Sequence, residues 1–283
     1  MLTSSKQMIL EARARKYAVG CFNTSDLEIT KAIIAAAEAQ KSPVIIAASP
    51  KAIGYAGLET LTSIIKSEAE NTSVPVALHL DHGVTLAMVE DCLNIGYTSV
   101  MFDGSGSELE HNEILTRQAV EMAHAKNVPC EGELGHLGKA PPSGGKAGET
   151  KSKLTNPDDV IEFVQNTSVD FLAVSIGSEH GIGKNEVLKI KLLEKIDSLT
   201  HVPLVLHGAS GVPDTDIKKA IKNGIAKINI DTDIRHTFSK SMRKILAKNT
   251  KEDDPREILT DVMTDIQKLV EEKIKLFGSD NKM

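Results

Sequence analysis

Cysteine is scarce in this sequence. Cys21, Cys92 and Cys130 are far apart and form no Cys-x-x-Cys pair. That usage excludes a disulfide framework and fits a reducing compartment. Long apolar runs are also missing: the longest fall far short of the roughly 18 residues a membrane span needs. There is no basic tract either. A formal net charge of −6 and a pI of about 5.9 argue against a nucleic-acid or anionic-membrane surface. Any anionic substrate must therefore be held by local donors. Met1 to Lys16 begins polar and places apolar residues only at helical spacing, so no signal peptide is expected there. No low-complexity tract occurs. Together these absences predict a soluble, cytoplasmic protein.

What is present is enough apolar material for one large core or two ordinary domains: 41% hydrophobic residues over 283 positions, with 25% charged and 20 glycines. From Ala18 to Ile230 one pattern recurs: a short apolar run, a polar turn, then a helical stretch. The runs are Ala18 to Phe22, Val44 to Ala48, Val76 to Leu80, Ser99 to Phe102, Cys130 to Glu133, Phe171 to Ser175, Pro203 to Leu206 and Ala226 to Ile230. Nearly continuous apolar strands alternating with helices read as parallel and buried on both faces.

Helix starts are also marked. Ser25 and Glu28 have the spacing of a capping box before Leu27 to Ala39, Asn156-Pro157-Asp158 supplies a cap and an N1 proline, and Asp214 opens another helix. Eight strand-helix units predict a single (β/α)8 barrel over 1–283, with an open doubly wound sheet as the alternative. Two helices follow the eighth strand, and 240–283 is expected to pack on the barrel or on a partner subunit. Ile258, Val262, Ile266, Leu269 and Ile274 give the second helix its apolar stripe.

The stretch Val76 to Gly83 runs from a buried strand straight into Asp81 and His82. Burying a carboxylate beside an imidazole is costly unless a metal ion or substrate compensates. On a barrel, catalytic groups come from the carboxyl ends of several strands. The residues there are Asn23, Ser49, Asp81 with His82, Asp103, Glu133, His180, His207 with Gly208, and Asn229 with Asp231. His82, His180 and His207 follow strands three, six and seven. Three imidazoles with an open fourth position suit a catalytic zinc. The other histidines lie mid-strand, in helical stretches or in turns and read as structural, His79 least clearly because it shares a strand face with Asp81. Gly208-Ala209-Ser210-Gly211 and Asn229-Ile230-Asp231-Thr232, after strands seven and eight, have the make-up of phosphate-binding loops.

With Leu-His-Leu-Asp-His-Gly at 78–83, Ser-Glu-His-Gly at 178–181, Leu-His-Gly-Ala-Ser-Gly at 206–211 and Asn-Ile-Asp-Thr-Asp at 229–233, the sequence resembles the class II, metal-dependent ketose-bisphosphate aldolases. The likeness runs from about Lys6 to Phe238 and is nearest the branch of fructose-bisphosphate and tagatose-bisphosphate aldolases. It implies that His82, His180 and His207 hold Zn2+ and that Asp81 transfers the C4-hydroxyl proton. It further implies that Asn23, Ser49, Gly181, Lys184, Gly208, Ala209, Ser210, Asn229, Asp231, Thr232 and Arg235 bind the phosphorylated sugar. By the same resemblance Asp103 and Glu133 bind a second cation, and the protein is a homodimer or homotetramer.

Two departures stand out. The loop from Leu134 to Leu154 lacks the family's usual acidic pair and keeps only Glu149, which becomes the candidate for the second proton exchange. Ala47-Ala48-Ser49-Pro50 resembles the tagatose-type enzymes, whereas the motif at 229–235 resembles the fructose-type, so the sugar, and the aldehyde half with it, stays open. Three rivals are a Schiff-base aldolase using Lys184 or Lys227, a zinc hydrolase, and a non-catalytic metabolite-binding or scaffold barrel. Lys227 sits early in its strand, towards the end of the barrel away from the site.

Overall fold

In the computed structural model, which describes residues 1–138, 152–179, 181 and 187–283, the strands close into a barrel of parallel neighbours in sequence order. They are β1 (Val19–Asn23), β2 (Val44–Ala48), β3 (Val76–Gly83), β4 (Ser99–Phe102), β5 (Cys130–Leu134), β6 (Phe171–Val174), β7 (Leu204–Leu206) and β8 (Ile225–Ile230). Closure is made by β8 pairing with β1, Val19 opposite Lys227 and Cys21 opposite Asn229. The open-sheet alternative is thereby set aside.

Two apolar layers follow from strand alternation. Outward-facing residues such as Phe22, Ile46, Leu78, Leu172 and Ile228 pack under the surrounding helices, while Cys21, Ala47, Ala77, Met101 and Val205 face the interior. The helix Ser5–Arg15 plugs one end of the barrel through Met8, Ile9 and Ala12. It is tied down by Lys6 to Asp170 (2.7 Å) and by Arg13 to Asp197 (2.8 Å).

The long terminal helix Pro255–Phe277 starts at an Asp254 cap and buries Val262, Ile266, Val270, Ile274 and Phe277, with Ile258 and Leu269 at the edge of the stripe. It lies against the helices Leu27–Gln40 and Thr232–Lys248. Asn156 and Pro157 cap the helix Pro157–Thr167 as expected. The cap before Leu27–Gln40 differs from the expected one: Asp26, one residue further on, accepts from the Ile29 amide, so the Ser25–Glu28 box does not form. A carboxylate facing the positive end of a helix is the stronger acceptor.

Candidate active site

The feature that makes the site is an irregularity in β3. Leu80 pairs with Val100, but Gly83 pairs with Phe102, so three steps of β3 match two of β4. His82 sits in this bulge at φ 50°. In a regular strand Asp81 and His82 would point to opposite faces. The bulge turns both towards the mouth, where ligand atoms of Asp81, His82 and His207 lie within 4.8 Å of one another. This is also why the strand runs three residues past the sequence expectation.

Asp81 lies between two amides. Asn23 Nδ2 donates to Oδ2 at 2.7 Å and Asn229 Nδ2 to Oδ1 at 2.8 Å. Burial of itself would raise this carboxyl, but the charges of His82 and Lys227 reverse that and hold it well below the usual carboxylate range. Each amide keeps a buried oxygen, Asn23 Oδ1 and Asn229 Oδ1, with no hydrogen-bond partner among the described residues.

The two imidazoles are each held from behind by a carboxylate. His82 Nδ1 meets Asp103 Oδ2 at 2.7 Å. Burial opposes a charged ring there, yet the charge of Asp81 and the bond to Asp103 push His82 up to about 10. Asp103 is itself anionic and can only accept, so Nδ1 carries the proton and Nε2 supplies the lone pair once a metal replaces its hydrogen. His207 Nε2 meets Glu131 Oε1 at 2.7 Å, and its Nδ1 lies 4.0 Å from Asp81 Oδ1. Burial lowers His207, keeping it neutral as a ligand must be. This donor set, two imidazoles with outer nitrogens fixed by carboxylates beside a third carboxylate, fits a zinc-type ion.

A second cluster of ligand atoms combines His82, Asp103 and Glu133. Glu133 is buried, and burial together with the nearby Asp103 raises it to about 8. Its Oε2 has no hydrogen-bond partner among the described residues.

Beside the mouth a cleft of about 340 Å³ is lined by Asn23, Ser25, Ser49, Lys51, Asp231 and Arg235, among others. Arg235 Nε donates to Asp231 Oδ1 at 2.9 Å. Gly208 adopts φ 66° and leads into a short turn, Ala209–Gly211. Ser210 Oγ accepts from the Asp233 amide at 3.2 Å, which fastens the loop after β7 to the helix that begins at Thr232. Gly181 follows β6 with φ 118°. His180, Lys184 and Glu149 lie outside the described residues.

Beneath the mouth lies a layer only partly read in the sequence. Lys227 sits early in β8, opposite the first residue of β1, and its side chain is 1% exposed inside the barrel, donating to Glu131 Oε2 at 2.8 Å. Burial works against its ammonium, but Cys21, Glu131 and Asp81 around it raise its pKa overall, opposite to the depressed pKa a Schiff-base lysine needs. Glu131 went unmarked, although Glu131 and Glu133 share a strand face by period-two spacing. His79, completely buried, contacts Lys227 (3.3 Å) through Nε2 and Ser99 Oγ (2.8 Å) through Nδ1. Burial and the lysine lower it to about 3.

Residues 3–282 match the family model described as fructose-bisphosphate aldolase class-II. The chain is 42% identical to a fructose-bisphosphate aldolase of Geobacillus stearothermophilus, covering 99% of this chain and 98% of that one. It is 40% identical to a 6-phospho-5-dehydro-2-deoxy-D-gluconate aldolase of Shouchella clausii, over 97% and 94%. Among solved structures, the YdjI aldolase of Escherichia coli K12 superposes with a TM-score of 0.88 at 35% identity, over 100% and 99% of the two chains.

Proposed function

Because the chain belongs to the class II fructose-bisphosphate aldolase family, whose members are metal-dependent lyases, we propose that it reversibly cleaves fructose or tagatose 1,6-bisphosphate to dihydroxyacetone phosphate and glyceraldehyde 3-phosphate. The observation that carries the reading is Asp81, an ionised carboxylate clamped by Asn23 and Asn229 within reach of two oriented imidazoles.

In this reading His82 and His207, with His180 as the third imidazole, would hold Zn2+, which when bound polarises the ketose carbonyl and spreads the charge left as the carbon–carbon bond breaks. Asp81 takes the C4-hydroxyl proton on cleavage and returns it on condensation. Its low pKa suits it to accept a proton only where the reaction drives the transfer. The free amide oxygens of Asn23 and Asn229 are acceptors for substrate hydroxyls on either side of Asp81. Gly208, Ala209 and Ser210 with Asn229 and Thr232 hold one phosphate through backbone amides and hydroxyls, Gly181 and Lys184 adding to it. Ser49, Asp231 and Arg235 receive the other half of the sugar in the neighbouring cleft. Asp103 and Glu133 would bind a second cation, and Glu149 would exchange the proton at C3.

The three cysteines of the chain, all buried and unbridged, suit a cytoplasmic enzyme, and no described helix is long and apolar enough to cross a membrane. A homodimer or homotetramer, as the resemblance implies, belongs to this reading.

The Shouchella clausii relative favours one alternative: dihydroxyacetone phosphate joined to a different aldehyde. Side-by-side cleavage assays with fructose and tagatose 1,6-bisphosphate decide between these. A preference for either names the sugar, whereas zinc-loaded enzyme that cleaves neither would overturn the bisphosphate assignment.

A further inference from the structure

We propose that Lys227, acting through Glu131, is a positioning residue that selects which ring nitrogen of His207 faces the mouth of the barrel. The inference rests on the reading of His207 as a metal ligand and extends it to the buried layer beneath the mouth.

The three residues come from β8, β5 and the end of β7 and form one buried chain. Lys227 Nζ donates to Glu131 Oε2 at 2.8 Å, and Glu131 Oε1 lies 2.7 Å from His207 Nε2. None of the three is more than 1% exposed. Lysine and glutamate are rarely put so far inside a protein unless they are paired. A buried pair of this kind is often matched or bettered in stability by apolar residues of the same shape, so its contribution here is to orientation.

The geometry shows how. Glu131 has two oxygens, and the lysine claims one of them. A carboxylate anchored that way can offer the other only as an acceptor, aimed at His207 Nε2. His207 must then carry its proton on Nε2, which leaves the Nδ1 lone pair towards the mouth, 4.0 Å from Asp81 Oδ1. The lysine is braced in turn: His79 Nε2 is 3.3 Å from Nζ, His79 Nδ1 meets Ser99 Oγ at 2.8 Å, and Ser99 Oγ meets Ser5 Oγ at 2.8 Å on the N-terminal helix. A line of bonds thus runs from the plug of the barrel to the histidine at its mouth. Without the lysine, Glu131 can rotate off His207 and the ring can present either nitrogen.

The test uses the full chain labelled with 15N-histidine, with zinc affinity measured by chelator competition. In the wild type, proton–nitrogen correlation spectra should show His207 protonated at Nε2 both with and without zinc. Lys227→Met and Glu131→Gln should each weaken zinc binding about 10- to 100-fold, the range for partners that orient a ligating histidine. The double variant should lose no more than the worse single one, because the two act in series. Lys227→Arg should recover much of the affinity. A folded Lys227→Met that keeps the wild-type zinc affinity and His207 tautomer would overturn the inference. If that variant does not fold, wild-type spectra with the proton on Nδ1 overturn it equally. His207→Ala separates the two readings: undiminished zinc binding there sinks the metal assignment, whereas zinc lost in His207→Ala but kept in Lys227→Met sinks this inference alone.

Discussion

The rings of His82 and His207 meet edge to face with centroids 4.6 Å apart, one from the bulge of β3 and the other from just beyond β7. Two imidazoles that close, with Asp81 beside them and a carboxylate behind each, form an arrangement that costs free energy to assemble unless an ion is to be bound. On the proposed reading, removing either ring removes a ligand rather than a packing contact. His82→Ala and His207→Ala should each abolish stoichiometric zinc binding and lower kcat by about a thousandfold or more, the size of a lost Lewis acid. Metal analysis of the purified variants checks this, and full zinc content in both would contradict it.

Asp81→Asn keeps the shape of the side chain and removes its ability to take a proton. The amide can still meet one of the two asparagines that clamp it, so zinc content should be near that of the wild type. Cleavage should slow by about 10²- to 10⁴-fold, the usual contribution of a general acid–base group. Steady-state kinetics on zinc-matched samples measures it, and a kcat within about tenfold of the wild type would remove Asp81 from the proton-transfer role.

Gly208→Ala tests the loop after β7. The backbone there is left-handed, at φ 66°, and a Cβ would run into the backbone of Glu179. The expected cost is about 1 to 3 kcal/mol of stability together with a raised KM, because the phosphate-type loop must shift. Urea unfolding and substrate titration report the two effects separately. An unchanged KM would show that the loop does not touch substrate.

Asp170 gives a prediction about pH and stability away from the site. It joins Lys6 (2.7 Å), His124 (2.8 Å) and the Cys130 amide (2.8 Å), and although burial opposes it, these partners lower its pKa. A carboxyl depressed on folding contributes stability above its unfolded pKa and loses it as pH falls through the folded one. Asp170→Asn should therefore be less stable than the wild type at pH 7, by about 1 to 3 kcal/mol. The gap should close as pH falls below about 4. Thermal melts across that range measure it, and a gap that widens in acid would reverse the assignment.

The strands and the polar rim were legible in the sequence because a buried parallel strand is an uninterrupted apolar run, and because each run ended in a residue a core does not need. Asp81, His82, His207 and Asn229 stood out on that basis, and the structure brings them together. Glu131 and Lys227 did not stand out. Inside a barrel the face towards the axis carries polar residues as well as apolar ones, and a lysine in mid-strand reads as misplaced until its partner on a strand three positions away is known. The bulge at His82 was equally hidden, since register depends on the neighbouring strand. The cap at Asp26 was missed by one residue because Ser25 and Asp26 are both good caps, and only the backbone turn decides between them.

Whether the chain works as a metal-dependent aldolase is decided by a chelation and reconstitution series on the wild-type enzyme. Fructose and tagatose 1,6-bisphosphate cleavage is followed before EDTA treatment, after it, and during a zinc titration with metal content measured at each point. Activity should disappear with the metal and return in proportion to zinc, levelling off at about one ion per chain for the single catalytic site. Full cleavage activity in metal-free protein would contradict that.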